Sequence, residues 1–193
     1  MESLPELLTA VRSCRACEAS LPLGPRPVVV ADEAARVLII GQAPGARVHD
    51  SGIPWDDPSG DRLRQWLVMD KCQFYNDKRL AIMPMGFCYP GKGRSGDLPP
   101  RKECAPLWHQ HLLSHMPKLE LVLLIGQYAQ KYYLHDEFKT LTERVEKHPA
   151  DSYFFPLPHP SPRNQMWLRR NPWFESVVVP RLRLRINEIL ETP

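Results

Sequence analysis

The chain predicts an α/β fold: one three-layer domain, residues 1–193, with a central four-stranded parallel sheet flanked by helices. Three observations carry this. Four short apolar runs have the length and bounded character of buried strands. Helical segments lie between them, and strands alternating with helices imply a parallel sheet covered on both faces. A loop rich in glycine, proline or polar residues follows each run, as expected where connections turn over a sheet edge.

The runs are Val37–Ile40, Leu80–Pro84, Leu121–Ile125 and Tyr153–Pro156. Ser59–Met69 opens with polar residues and then sets Leu63, Trp66 and Leu67 on one helical face. Glu103–Met116 and Gln127–Leu134 are similar. Pro172–Thr192 carries apolar residues at helical spacing, with Pro180 expected to interrupt it. In open α/β sheets, ligands bind beyond the carboxyl ends of the strands. There the first run meets Gly41-Gln42-Ala43-Pro44-Gly45, the second Met83 to Cys88, the third Gly126-Gln127, and the fourth His159-Pro160-Ser161-Pro162-Arg163-Asn164. That edge is the predicted site.

At 193 residues and 43% hydrophobic content the chain can bury a core of its own. No apolar run reaches the ~18 residues of a membrane span. Met1–Ala10 is amphipathic and lacks the basic start and apolar centre of a signal peptide, so a cytoplasmic protein with no membrane partner is expected. A monomer is the simplest assembly. Net charge is only +3, but Arg163, Arg169, Arg170, Arg181, Arg183 and Arg185 crowd the last thirty-one residues. Such a cluster either attracts phosphate or forms a solvated helix face. The other histidines, His109 among them, read as structural or incidental, with His49 set apart by its place in the first glycine-rich loop.

Five cysteines in a chain without an export signal argue against a disulfide framework. Cys14-Arg15-Ala16-Cys17 is a CxxC, and Cys88 and Cys104 bracket fifteen residues. Four thiolates can ligate an iron–sulfur cluster, and the Cys88–Cys104 segment is a long loop that needs an anchor. Zinc on the same four cysteines is the alternative. Cys72 reads as a lone thiol.

These residues together resemble the uracil-DNA glycosylase superfamily. Gly41-Gln42-Ala43-Pro44-Gly45, then Gly52-Ile53-Pro54-Trp55 and Ser59-Gly60-Asp61, resemble its first motif, and His159-Pro160-Ser161-Pro162-Arg163-Asn164 its second. Cys14, Cys17, Cys88 and Cys104 look like the ligands of the branch that carries a 4Fe-4S cluster. The likeness runs in order from about Ser13 to Trp173. It implies hydrolysis of the N-glycosidic bond of a damaged base in DNA, after the base has left the stack. Trp55 is then the ring that stacks on the extruded base, Gly41, Gln42 and Ala43 the backbone that receives a base carbonyl, and His159 the group that steadies negative charge on the base. Arg163 and its neighbour Asn164 enter the minor groove, and Ser161 contacts a phosphate.

The pattern departs at two places. Carboxylates usual in the first motif are replaced by Gln42 and Ala43. A related iron–sulfur group with an apolar residue in that loop has an aspartate shortly before Ser-Gly-Asp. Alignment on Ser59-Gly60-Asp61 implies Asp57, with Asp56 and Asp50 as alternatives, as the group that orients the attacking water. The bland reading is that Asp56 and Asp57 merely begin a helix. Where the family has a base-reading asparagine, this chain has Pro84, flanked by Met83 and Met85 in a soft apolar wall. The expected function is excision of uracil or a related deaminated base. The alternatives are a catalytically weak module that holds damaged or abasic DNA, and, with less in its favour, an electron carrier.

Overall fold

A computed structural model describes residues 2–191 of the chain. Met1 and the predicted helix end at Thr192 lie outside the described residues. The strands are β1 Val37–Ile40, β2 Leu80–Ile82, β3 Lys92–Gly93, β4 Gly96–Asp97, β5 Leu121–Ile125 and β6 Phe154–Leu157. The helices are α1 Leu4–Arg12, α2 Ala46–Ser51, α3 Pro58–Leu67, α4 Lys71–Asn76, α5 Gln110–Ser114, α6 Gln127–Tyr133, α7 Leu141–Lys147, α8 Gln165–Arg170 and α9 Val179–Glu191.

Strands β1, β2, β5 and β6 form a parallel sheet in the order β2-β1-β5-β6, with Val37 opposite both Leu80 and Leu121. Because side chains alternate across a strand, β1 feeds two cores. Val37 and Ile39 join Leu121, Leu123, Trp66, Phe174 and Leu182 on one face. Leu38 and Ile40 join Leu7, Val11, Leu112 and Val122 on the other. The predicted three layers are therefore present, with α3, α7, α8 and α9 over one face and α1, α5 and α6 over the other.

Some boundaries differ from expectation, each for a local reason. Strand β2 stops at Ile82, two residues before Pro84, which has no N–H to continue a ladder. Its outer edge is covered by Val30, which exchanges backbone bonds of 2.9 and 2.8 Å with Ile82. Pro180 does not interrupt the last helix. A π turn, Phe174–Val178, precedes it and widens the coil where the proline ring would meet a carbonyl, and α9 runs on to Glu191. The segment between Cys88 and Cys104, expected to be an unstructured loop, contains the β3–β4 hairpin. Of the C-terminal arginines, Arg183 donates to the Trp66 and Gln65 carbonyls and Arg185 to Ala150, so part of the cluster fastens α9 to its neighbours.

Candidate active site

The carboxyl ends of β1, β2 and β6 open into a cleft of ≈ 450 Å³, within the range of small-ligand sites. Gly41, Gln42, Ala43, Trp55, Asp57, Pro84, His159, Ser161, Arg163 and Asn164 all line it. These positions span more than a hundred residues of sequence and meet because the parallel sheet delivers each loop to one edge. Met83 is the exception. Its side chain is fully buried among the core residues behind the cleft, and Met85 packs there with it, so the soft wall anticipated beside Pro84 is absent.

Trp55 is held in a left-handed conformation, φ 58°, which is unusual for a large residue and marks a constrained site. Its carbonyl takes a 3.2 Å hydrogen bond from Arg64, a buried guanidinium that also binds Tyr75 and Asp61 and packs over the Phe74 and Tyr75 rings. Gly60 is required for the same turn: a Cβ there would lie 1.7 Å from the Trp55 oxygen. The indole rests on Gly41, whose added Cβ would stand 2.8 Å from Cζ2, and its centroid is 5.7 Å from that of His159.

His159 follows β6 directly. Burial holds its imidazole below the ordinary range, against a smaller opposing pull from Asp57. Nδ1 accepts the Ser161 backbone N–H at 3.2 Å, which leaves Nε2 as the protonated nitrogen of a neutral ring. Asn164 Nδ2 donates to the His159 carbonyl at 2.7 Å, Arg62 donates to the Ser161 carbonyl at 3.3 Å, and the Ser161 hydroxyl accepts the Arg163 N–H. The loop is thus tied to itself and to α3. Asp57 is the N-cap of α3: Oδ1 accepts the Gly60 N–H at 2.8 Å. It therefore both begins the helix and faces the cleft.

Pro84 lines the cleft, but its carbonyl is taken from behind by His109 Nε2 at 3.1 Å. His109 Nδ1 pairs with the Tyr133 hydroxyl at 2.6 Å, and the ring stacks on Phe87. Burial lowers the His109 pKa to about 4. His109, expected to be structural or incidental, is structural; it sits at the end of a π turn, Ala105–His109, and nothing in the local pattern marks that turn. The sequence reading also missed Ser95, Gly96 and Asp97, which the β3–β4 hairpin carries into the cleft. Two glycines three apart, Gly93 and Gly96, were the available hairpin signal.

Cys14, Cys17, Cys88 and Cys104 gather beside this loop as free thiols. Cys104 lies in the electrostatic field of the other three, and Cys17 shares a hydrogen bond with it. Burial pushes Cys88 up to about 11 and Cys104 up to about 12. Backbone groups of Arg26 and Phe87 bond to the Cys88 and Cys104 sulfurs. Among the described residues, no three histidine, cysteine or acidic side chains meet at single-ion spacing. Cys72 is exposed and apart, with Asn76 bonded to its sulfur.

The architecture defines a class: a three-layer α/β protein with a small-ligand cleft at the carboxyl edge of a parallel sheet. Residues 28–183 match the family model of the uracil DNA glycosylase superfamily, and the chain belongs to that superfamily. Cys14 and Cys17 precede the matched region. A candidate uracil DNA glycosylase from Methanosarcina acetivorans, solved by solution NMR, is similar at 19% identity. That match has a TM-score of 0.45 and covers 79% of this chain and 94% of the other.

Proposed function

We propose that this protein is a DNA glycosylase that hydrolyses the N-glycosidic bond of uracil or a related deaminated base. The observation that carries the reading is the neutral His159, with its Nδ1 occupied and Nε2 free to donate, placed beside Trp55 and Asp57 in one cleft. The extruded base stacks on Trp55, with the Gly41-Gln42-Ala43 backbone at its carbonyl. His159 donates to the base oxygen as the bond breaks, a contribution of about 3–4 kcal/mol for one well-placed donor. Asp57, kept in place by the Gly60 N–H, supports the cationic sugar. Ser161, Arg163 and Asn164 lie on the DNA side of the cleft.

Pro84 offers neither an amide nor a free carbonyl to the base edge. A site without that pair discriminates weakly between bases, so the substrate is a deaminated base chosen chiefly by shape. The same feature, with Gln42 and Ala43 in place of carboxylates, favours a second reading, a module that holds damaged DNA without cleaving it. Oligonucleotides containing uracil, hypoxanthine or xanthine separate the two. Alkali-labile product at any of these bases supports the enzyme; a gel shift with no product overturns it.

The four cysteines suit an iron–sulfur cluster: all are thiols, three are buried, and backbone bonds reach two of the sulfurs. Cys14, Cys17, Cys88 and Cys104 would hold it, and it would supply a rigid anchor for the Cys88–Cys104 segment. Anaerobically purified protein should absorb near ~400 nm and contain iron and sulfide, with both lost in Cys17→Ser. Bound zinc without iron would refute the cluster and leave the glycosylase reading intact.

A further inference from the structure

We infer that Asp97 is a catalytic residue: carried into the cleft on the β3–β4 hairpin, its carboxylate holds the attacking water and accepts its proton. The inference rests on the glycosylase reading and completes it, because the first motif lacks its usual carboxylates.

Asp97 lines the cleft with Asp57, His159 and the first-motif backbone. Its Oδ2 packs on Gly45, 3.5 Å from where a Cβ would stand. The residue at the place of a missing carboxylate, Gln42, donates its side-chain amide to the carbonyl of Leu98, next to Asp97, at 3.4 Å. On the hairpin's other side Arg163 donates to the Ser95 carbonyl at 3.1 Å. A Cβ on Gly96 would collide with that guanidinium at 2.3 Å, so glycine permits the close approach. The hairpin is thereby gripped by both motifs.

The two carboxylates differ in surroundings. Asp57 accepts the Gly60 backbone N–H at 2.8 Å, which fixes its carboxylate in place. Asp97 has its carboxyl pushed above the ordinary range by burial and by Asp57, against the opposing charges of Arg163 and Lys92. A fixed Asp57 suits a cationic sugar, and an Asp97 carboxyl raised by burial suits proton transfer. In the step, the water oxygen bonds to C1′, and its proton passes to Asp97. The C1′–N bond breaks, its electron pair leaves with the base, and Nε2–H of His159 holds the resulting anion until solvent protonates it.

The test uses the full chain purified anaerobically, comparing wild type, Asp97→Asn and Asp57→Asn in single turnover on the oligonucleotide panel. Asp97→Asn should slow excision by about 100-fold or more, keep its affinity for substrate DNA within about threefold, and keep the visible spectrum and melting temperature. The acidic limb of the pH–rate profile should vanish with it. A second measurement needs no turnover. DNA carrying a cationic pyrrolidine in place of the sugar should bind wild type more tightly than DNA with a neutral tetrahydrofuran, and Asp97→Asn should shrink that ratio about tenfold. Wild-type excision with Asp97→Asn at full rate and an unchanged ratio overturns the role of Asp97 alone. No wild-type excision and no preference for the cation overturns the glycosylase reading and this inference together.

Discussion

Replacing Arg64 by methionine should loosen the turn that presents Trp55. The Arg64 side chain is only 5% exposed and donates to the Trp55 carbonyl, the Tyr75 hydroxyl and Asp61. Methionine fills much of the volume and keeps contact with the Phe74 and Tyr75 rings, but it strands two polar partners. Each buried acceptor left unmatched costs about 1–3 kcal/mol. Asp61 is 62% exposed and regains water, so its share is small. The expected loss is roughly 2–6 kcal/mol, or on the order of 10 °C in melting temperature for a chain of this size. Urea denaturation of wild type, Arg64→Met, Tyr75→Phe and the double variant measures it, and the cycle should return a coupling of about 1–2 kcal/mol. A loss below about 1 kcal/mol, or no coupling, would refute the view that Arg64 holds this turn.

Other consequences are open to measurement. His109 has a folded pKa of about 4, so between the ordinary histidine value and that pH the unfolded chain binds a proton that the native state does not. Stability should therefore be highest above pH ~6.5 and fall by roughly 3 kcal/mol as pH drops toward 4. His148 and His159, also lowered by burial, act in the same direction. Urea melts at pH 7.5 and 5 should show a smaller drop in His109→Gln than in wild type. Gly41→Ala puts a methyl 2.8 Å from the Trp55 ring and should displace it. Excision should fall by up to ~100-fold, the scale of misplaced catalytic groups, with a changed tryptophan emission and a retained fold. His159→Asn should cost on the order of 100- to 1000-fold in single turnover, the value of one oxyanion donor.

Much of the fold was legible in the sequence. Val37–Ile40 and Leu121–Ile125 match β1 and β5 residue for residue, because strands buried on both faces are continuous apolar runs. The β2 and β6 boundaries slipped by one or two residues, where proline and a sheet edge decide pairing. The first and second motifs pointed to the cleft because their glycines and prolines lie directly after strands. Short helices such as α2, α4 and α8 left too few turns for a periodic signal. The β3–β4 hairpin has two residues per strand and no apolar alternation.

By itself, then, the sequence determined the layers, the edge that bears the site, and the cysteines, histidine, tryptophan and arginine that belong together. The layers and the edge follow from local periodicity and from residue chemistry at strand ends, and the grouping of side chains follows from the family resemblance. Only the tertiary structure decided the rest. It turned Met83 into the core, set His109 behind Pro84 and brought Asp97 across to Gly45. Each of these is a contact between segments far apart in the chain. Such contacts depend on how the sheet and its two helical layers close around one another, and no window of sequence contains both partners.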